Sequence, residues 1–170
     1  MLFRSMRLSE RIAAALPGFR GYKEKELRRE SDKLIRSHLT LKLSKDKDNV
    51  RNISQRITDK RYIDVLPDID RLVAKMDRIT EKVNHASYGY SGFFDIVKIK
   101  EEHLDRMISY DNALLDDVNA LGDAIDAMKA QLMAGDFTNL RDKIQGITDK
   151  FDILEGAFDK RQEVIMGVTA

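Results

Sequence analysis

The chain holds three histidines, His38, His85 and His103, and no cysteine. Thiolate chemistry and thiolate metal sites are therefore excluded, and any metal or acid–base role falls on imidazole and carboxylate groups. No Glu-x-x-His pair occurs, so the inward-facing di-metal pattern of carboxylate bundles is missing. No His-Glu-x-x-His pair occurs either. Glu81 and His85 stand four residues apart, which on a helix puts them on one face. A single pair of this kind suits a surface hydrogen bond better than a metal site. No serine lies in a nucleophile-elbow pattern, and Gly89-Tyr90-Ser91-Gly92 lacks the Gly-Lys-Ser/Thr that would make it a phosphate loop. The remaining cluster with titratable character is Tyr88, Tyr90 and His85 beside Asp95. Aromatic rings packed over the end of a helical bundle, with Gly89 and Gly92 letting the backbone turn, account for it without a reaction. No catalytic residue, cofactor site or metal site is assigned.

Charge is unevenly spread. Residues 1–60 carry +8, residues 61–100 carry +1 and residues 101–170 carry −8, within a net +1. Segregation of this kind suits either an acidic partner for the basic third or attraction between the two ends of one fold, or across a dimer; the second is preferred. Lys23-Glu24-Lys25-Glu26 and Arg28-Arg29-Glu30 interleave both signs. That pattern reads as a solvated helix with internal pairs rather than a phosphate-tracking stripe, so nucleic acid is disfavoured.

The elements that must position these residues are helices. Val97, Leu104, Val118, Ile125 and Leu132 recur at one heptad position, and Met107, Leu114, Leu121 and Met128 fall three residues after members of that series. This spacing predicts a helix from about residue 93 to 134, roughly 60 Å long, with a coiled-coil-like seam. Gly122 lies beside the seam, where it allows close packing. Gly135 suits a left-handed cap and Asp136 the start of the next helix. That helix repeats the pattern through Phe137, Ile144, Phe151, Phe158 and Ile165, with Leu140, Ile147 and Leu154 at the second position. Two such helices joined by a tight turn make an antiparallel hairpin over residues 93–167. The first seam is interrupted at Asp111 and the second at Arg161. Pairing the helices about the turn brings these positions to nearly the same level, which predicts an Asp111–Arg161 ion pair in or beside the core, a device that specifies register more than stability.

Upstream, Ile69, Leu72, Met76, Ile79 and Val83 form a third seam, with Pro67 in its first turn. Val50, Ile53 and Ile57 suggest a separate short piece. Residues 22–43 read as a charged helix with Leu27, Leu34, Ile35, His38 and Leu41 on its apolar face. Residues 2–16 form a short amphipathic helix ended by Pro17-Gly18, with Arg4, Arg7 and Arg11 away from its apolar side. The expectation is an all-α fold: an elongated bundle of four or five helices over residues 19–170, preceded by the short helix of residues 1–18.

The segments PGFRGYKEKELRRESDK (17–33) and ASYGYSGFFD (86–95), with Tyr110-Asp111-Asn112-Ala113-Leu114-Leu115, resemble a family of small all-helical prokaryotic proteins without assigned activity. The resemblance covers most of the chain. It implies a helical fold and carries no functional residues with it.

The function expected is that of a non-enzymatic helical scaffold or adaptor acting through protein–protein contacts. Its candidate interaction surface is Arg4, Arg7, Arg11, Tyr88, Tyr90, Phe93 and Phe94. The alternatives are a peripheral membrane protein laying its basic N-terminal helix on an anionic surface, and a ligand-binding or enzymatic bundle using the 88–94 loop. Partners in keeping with these features are another protein, a second copy of the chain or an anionic membrane. No apolar run approaches the ~20 residues of a bilayer span, and charges interrupt the N-terminal apolar residues, so a cytoplasmic location is expected.

Overall fold

The computed structural model describes the backbone of residues 2–22, 24–86 and 100–166, and the side chains among them from residue 8 onward except Lys25. Its described residues form five α-helices and one 3-10 turn, with no strand. The helices are α1 (Leu2–Ala15), α2 (Lys25–Asp59), α3 (Leu66–His85), α4 (Glu101–Met133) and α5 (Leu140–Met166). At 35 and 33 residues, α2 and α4 each run ~50 Å, which makes the bundle elongated. No described helix is long and apolar enough to cross a membrane.

Three boundaries differ from the sequence expectation. The charged segment and the short piece after it are one continuous helix, α2, whose buried stripe is Ile35, Leu39, Leu43, Val50, Ile53 and Ile57. Leu41, expected on the apolar face, is 71% exposed. Of the expected face, Ile35 is buried and Leu27, Leu34 and His38 are half-buried; the stripe that α2 buries starts at Ile35 and turns away from Leu41 through Leu39 and Leu43. Second, α4 begins at Glu101, after an extended Lys100, and not at residue 93; residues 93–99 and 167 of the expected hairpin lie outside the described residues. Third, α5 begins at Leu140. Phe137 stays in the turn, while Asp136 accepts hydrogen bonds from the backbone N–H (2.9 Å) and hydroxyl (2.7 Å) of Thr138.

Both hairpin turns start from the same helix ending. After α2, Tyr62 N–H donates to Ile57 C=O and Arg61 N–H to Thr58 C=O; after α4, Asp136 N–H donates to Gln131 C=O and Gly135 N–H to Leu132 C=O. These pairs satisfy the carbonyls that a helix end leaves open. The geometry needs a left-handed residue, supplied by Gly135 at φ 82° and, at a conformational cost, by Arg61 at φ 61°.

The hairpins α2–α3 and α4–α5 dock side by side, with α2 against α4 and α3 against α5. Cross-hairpin pairs recur at a separation of 77 residues: Lys42 with Asn119, Asn49 with Asp126, Lys75 with Asp152 and Arg78 with Glu155. A constant separation means that the docked helices run in the same direction. Both turns therefore lie at one end of the bundle, and α3 and α4 occupy diagonal corners joined at the other end. Between them runs one apolar core, completed by Met76, Leu114, Leu121, Phe151 and Phe158. The later half of α1 adds Ile12 to this core and packs on α4, and Leu16, just past its end, joins the core as well.

Candidate functional site

The seam interruptions meet inside the bundle. Arg161, fully buried on α5, donates from Nε to Asp111 Oδ1 on α4 at 2.6 Å and from Nη1 to Asp32 Oδ1 on α2 at 2.9 Å. Tyr22, carried into the core by the segment before α2, donates its hydroxyl to Asp111 Oδ2. Arg36 donates to Asp32 Oδ2 at 2.8 Å and to the Asn84 carbonyl near the end of α3 at 3.1 Å. One network thus ties all four bundle helices at the end away from the turns. Both oxygens of Asp111 accept hydrogen bonds, the arrangement of a carboxylate anion. Burial nevertheless pushes its carboxyl above the ordinary range, against the pull of Arg161. Burial also drives the Tyr22 phenol well up, with Asp111 adding to the rise, so the phenol stays a neutral donor. Such a sealed network suits structural specification better than turnover.

The sequence pointed to two members of this network and missed three. Asp111 and Arg161 stood out because polar residues interrupt clean heptads. Tyr22, expected at the start of the helix over residues 22–43, lies before α2, which begins at Lys25; Asp32 and Arg36 lie on a highly charged helix, where nothing marked one charge as internal. Of the other candidates, Arg11 pairs with Asp116 at 2.8 Å on the exposed flank where α1 crosses α4. Arg4 and Arg7 side chains and residues Tyr88, Tyr90, Phe93 and Phe94 lie outside the described residues. Glu81 and His85 form an exposed pair at 2.9 Å.

Acidic residues of α5 meet basic residues of α3 across the bundle, outside the basic first 60 residues. Lys75 reaches Asp152 at 2.5 Å, Lys82 reaches Asp159 at 2.5 Å, and Arg78 and Lys82 share Glu155. Arg141 bridges back to Asp68 at 3.1 Å. Exposed pairs of this type add ~0–1 kcal/mol each; their consequence here is that the basic side chains of α3 are answered by acids of α5.

The turn end carries exposed apolar residues. Tyr62 stacks on Phe137 with centroids 4.5 Å apart and planes 1° from parallel, yet Tyr62 remains 47% exposed, beside Ile63 at 62% and Met133 at 63%. Arg56 braces this end by donating to the carbonyls of Leu132 (2.8 Å) and Met133 (3.3 Å). Arg141 holds the first turn through the Asp64 carbonyl at 3.0 Å.

Compared with family models, with curated proteins and with solved structures, the chain finds no match.

Proposed function

We propose that the protein is a non-enzymatic helical scaffold that makes protein–protein contacts, with the turn end of the bundle as its docking face. The observation that carries this is the group of Tyr62, Ile63 and Met133, all about half or more exposed on a braced pair of turns. Aromatic and methionine side chains are over-represented in interface centres, and a rigid presentation lowers the ordering cost of binding. The buried network supports the same reading, because it fixes the register of two hairpins without offering a substrate any access. Ile12 and Leu16 in the core and the Arg11–Asp116 pair favour α1 as a cap of the bundle over α1 as a membrane anchor.

A triple substitution Tyr62→Ser, Ile63→Ser and Met133→Ser tests the docking face. Sedimentation and cross-linking of the purified chain, and pull-down from native extract, should show lost association while helical circular dichroism is kept. Association unchanged by the triple variant would refute this assignment.

A further inference from the structure

The groove between α2 and α4 has a floor that the scaffold role leaves unused. Asp46 is 6% exposed, yet among the described residues no donor lies within hydrogen-bond distance of its carboxylate and no cation within ion-pair distance, although Lys45 and Lys42 act on it from further off. The carboxylate lies against Gly122: a Cβ built there would stand 3.4 Å from Oδ1 and 3.6 Å from Oδ2. Both residues line a cavity of about 550 Å³, a volume typical of small-ligand pockets. Asp123 and Asp126 of α4 line the same cavity, as do Leu41 and Val118. Asp126 already accepts a hydrogen bond from Asn49 at 3.2 Å, and Lys42 of α2 is turned to Asn119. Lys45 of α2, exposed, also lines it.

Among the described residues the carboxylate has no hydrogen-bond donor from the protein, and its oxygens open on the cavity rather than on the core. Its missing partner is a cation that brings its own N–H donors. Among the described residues no three metal-ligating side chains converge, so a metal ion would find too few ligands here. An ammonium group needs only the one buried carboxylate and the outer negative charges.

We propose that this groove binds a small aliphatic amine, with its ammonium on Asp46, Asp123 and Asp126 supplying the surrounding negative potential, and its methylene stem along Leu41 and Val118. Gly122 keeps the carboxylate uncovered, since a side chain there would occupy the space above it. The charge state of Asp46 sets the pH response. Burial and then Asp126 push its carboxyl up to about 6, with Asp123 adding to the rise and Lys45 and Lys42 opposing it. His38 lines the same cavity; burial and then Lys42 hold its imidazole below the ordinary value, so it gains positive charge only at lower pH. Binding is therefore strongest above the Asp46 value and fades below it.

The test is titration of the full chain with diaminobutane above pH 7, followed by calorimetry and by amide NMR shifts at Asp46 and Gly122, with butanediol and magnesium chloride as comparison ligands. The expected result is saturable one-site binding of the diamine alone. A charge-assisted hydrogen bond of about 1.5–3 kcal/mol corresponds to a loss of about tenfold or more in affinity in Asp46→Asn. Gly122→Ala weakens binding with the helical spectrum kept. Lys45→Gln, which removes a competing cation, tightens it. Asp149→Asn, an exposed acid away from the groove, changes nothing. Absence of saturable binding overturns the proposal. So does equal loss in Asp46→Asn and Asp149→Asn, which would mean diffuse attraction to an acidic surface, or tighter binding of magnesium than of the diamine.

Discussion

Deleting the guanidinium of Arg161 asks how much the buried network contributes. Arg161→Met keeps most of the stem's volume and removes the cation shared by Asp111, 0% exposed, and Asp32, 1% exposed. Both carboxylates lose a charge-assisted bond, at 2.6 Å and 2.9 Å. Removing one side of a buried pair costs about 3–5 kcal/mol. Tyr22 still donates to Asp111 and Arg36 to Asp32, which places the cost near the lower bound, about 3 kcal/mol, against a domain total of about 5–15 kcal/mol. The pH response has a definite sign. Without the cation, burial acts on Asp111 with less opposition and its folded carboxyl lies further above its unfolded value. The loss is then full at neutral pH and shrinks as pH falls and that carboxyl binds a proton. Urea denaturation of wild type, Arg161→Met, Asp111→Asn and the double variant measures this directly. The double variant should be less destabilised than the sum of the singles by more than about 1 kcal/mol. Additivity within about 0.5 kcal/mol, or a cost of Arg161→Met below about 1 kcal/mol, would refute the reasoning.

Asp46→Asn should stabilise the protein. The folded carboxyl is raised to about 6 from an ordinary 3.8, so its ionised form is penalised above that value, and the penalty disappears as pH falls through it. Allowing for solvent in the groove, denaturation above pH 7 should show a gain of about 2 kcal/mol that vanishes near pH 4. Arg61→Gly should raise stability by about 1 kcal/mol, because glycine adopts φ 61° without the strain of a Cβ; an unchanged melting temperature would argue against strain at that turn. Ile12→Ala, at a fully buried position on α1, should cost about 2–4 kcal/mol in a single cooperative transition. A cost under about 0.5 kcal/mol would mean that α1 contributes little to the core.

How much was legible depended on regularity. The pairing of α4 with α5 could be read because apolar residues recur on clean heptads, so that Asp111 and Arg161 appeared as interruptions and their levels could be compared. On α2 the expected apolar face of Leu27, Leu34, Ile35, His38 and Leu41 shares only Ile35 with the core; Leu27 and Leu34 are half-buried and Leu41 is exposed, while Leu39 and Leu43 face the core. Asp32 and Asp46 were hidden for the same reason: on a helix so rich in charge, local pattern cannot tell an internal acid from a solvated one. Only the partner helices make that distinction, by placing Arg161 opposite the first and Gly122 opposite the second. The ladder of pairs between α3 and α5 was not legible, because it lies outside the basic first 60 residues and required knowing that docked helices run in the same direction.

The constant separation of 77 residues between docked partners has a kinetic meaning. Each hairpin closes through contacts nearer in sequence, whereas the docked pairs between hairpins span that long interval and wait on a larger loss of chain entropy. The link from Arg161 to Asp32 exists only after docking, and a slip of one helical turn would separate them. Substitutions in this link should therefore act mainly on the unfolding limb of a chevron and leave the refolding limb nearly unchanged. In that sense the buried charges act after the hairpins have met, holding the correct register against escape.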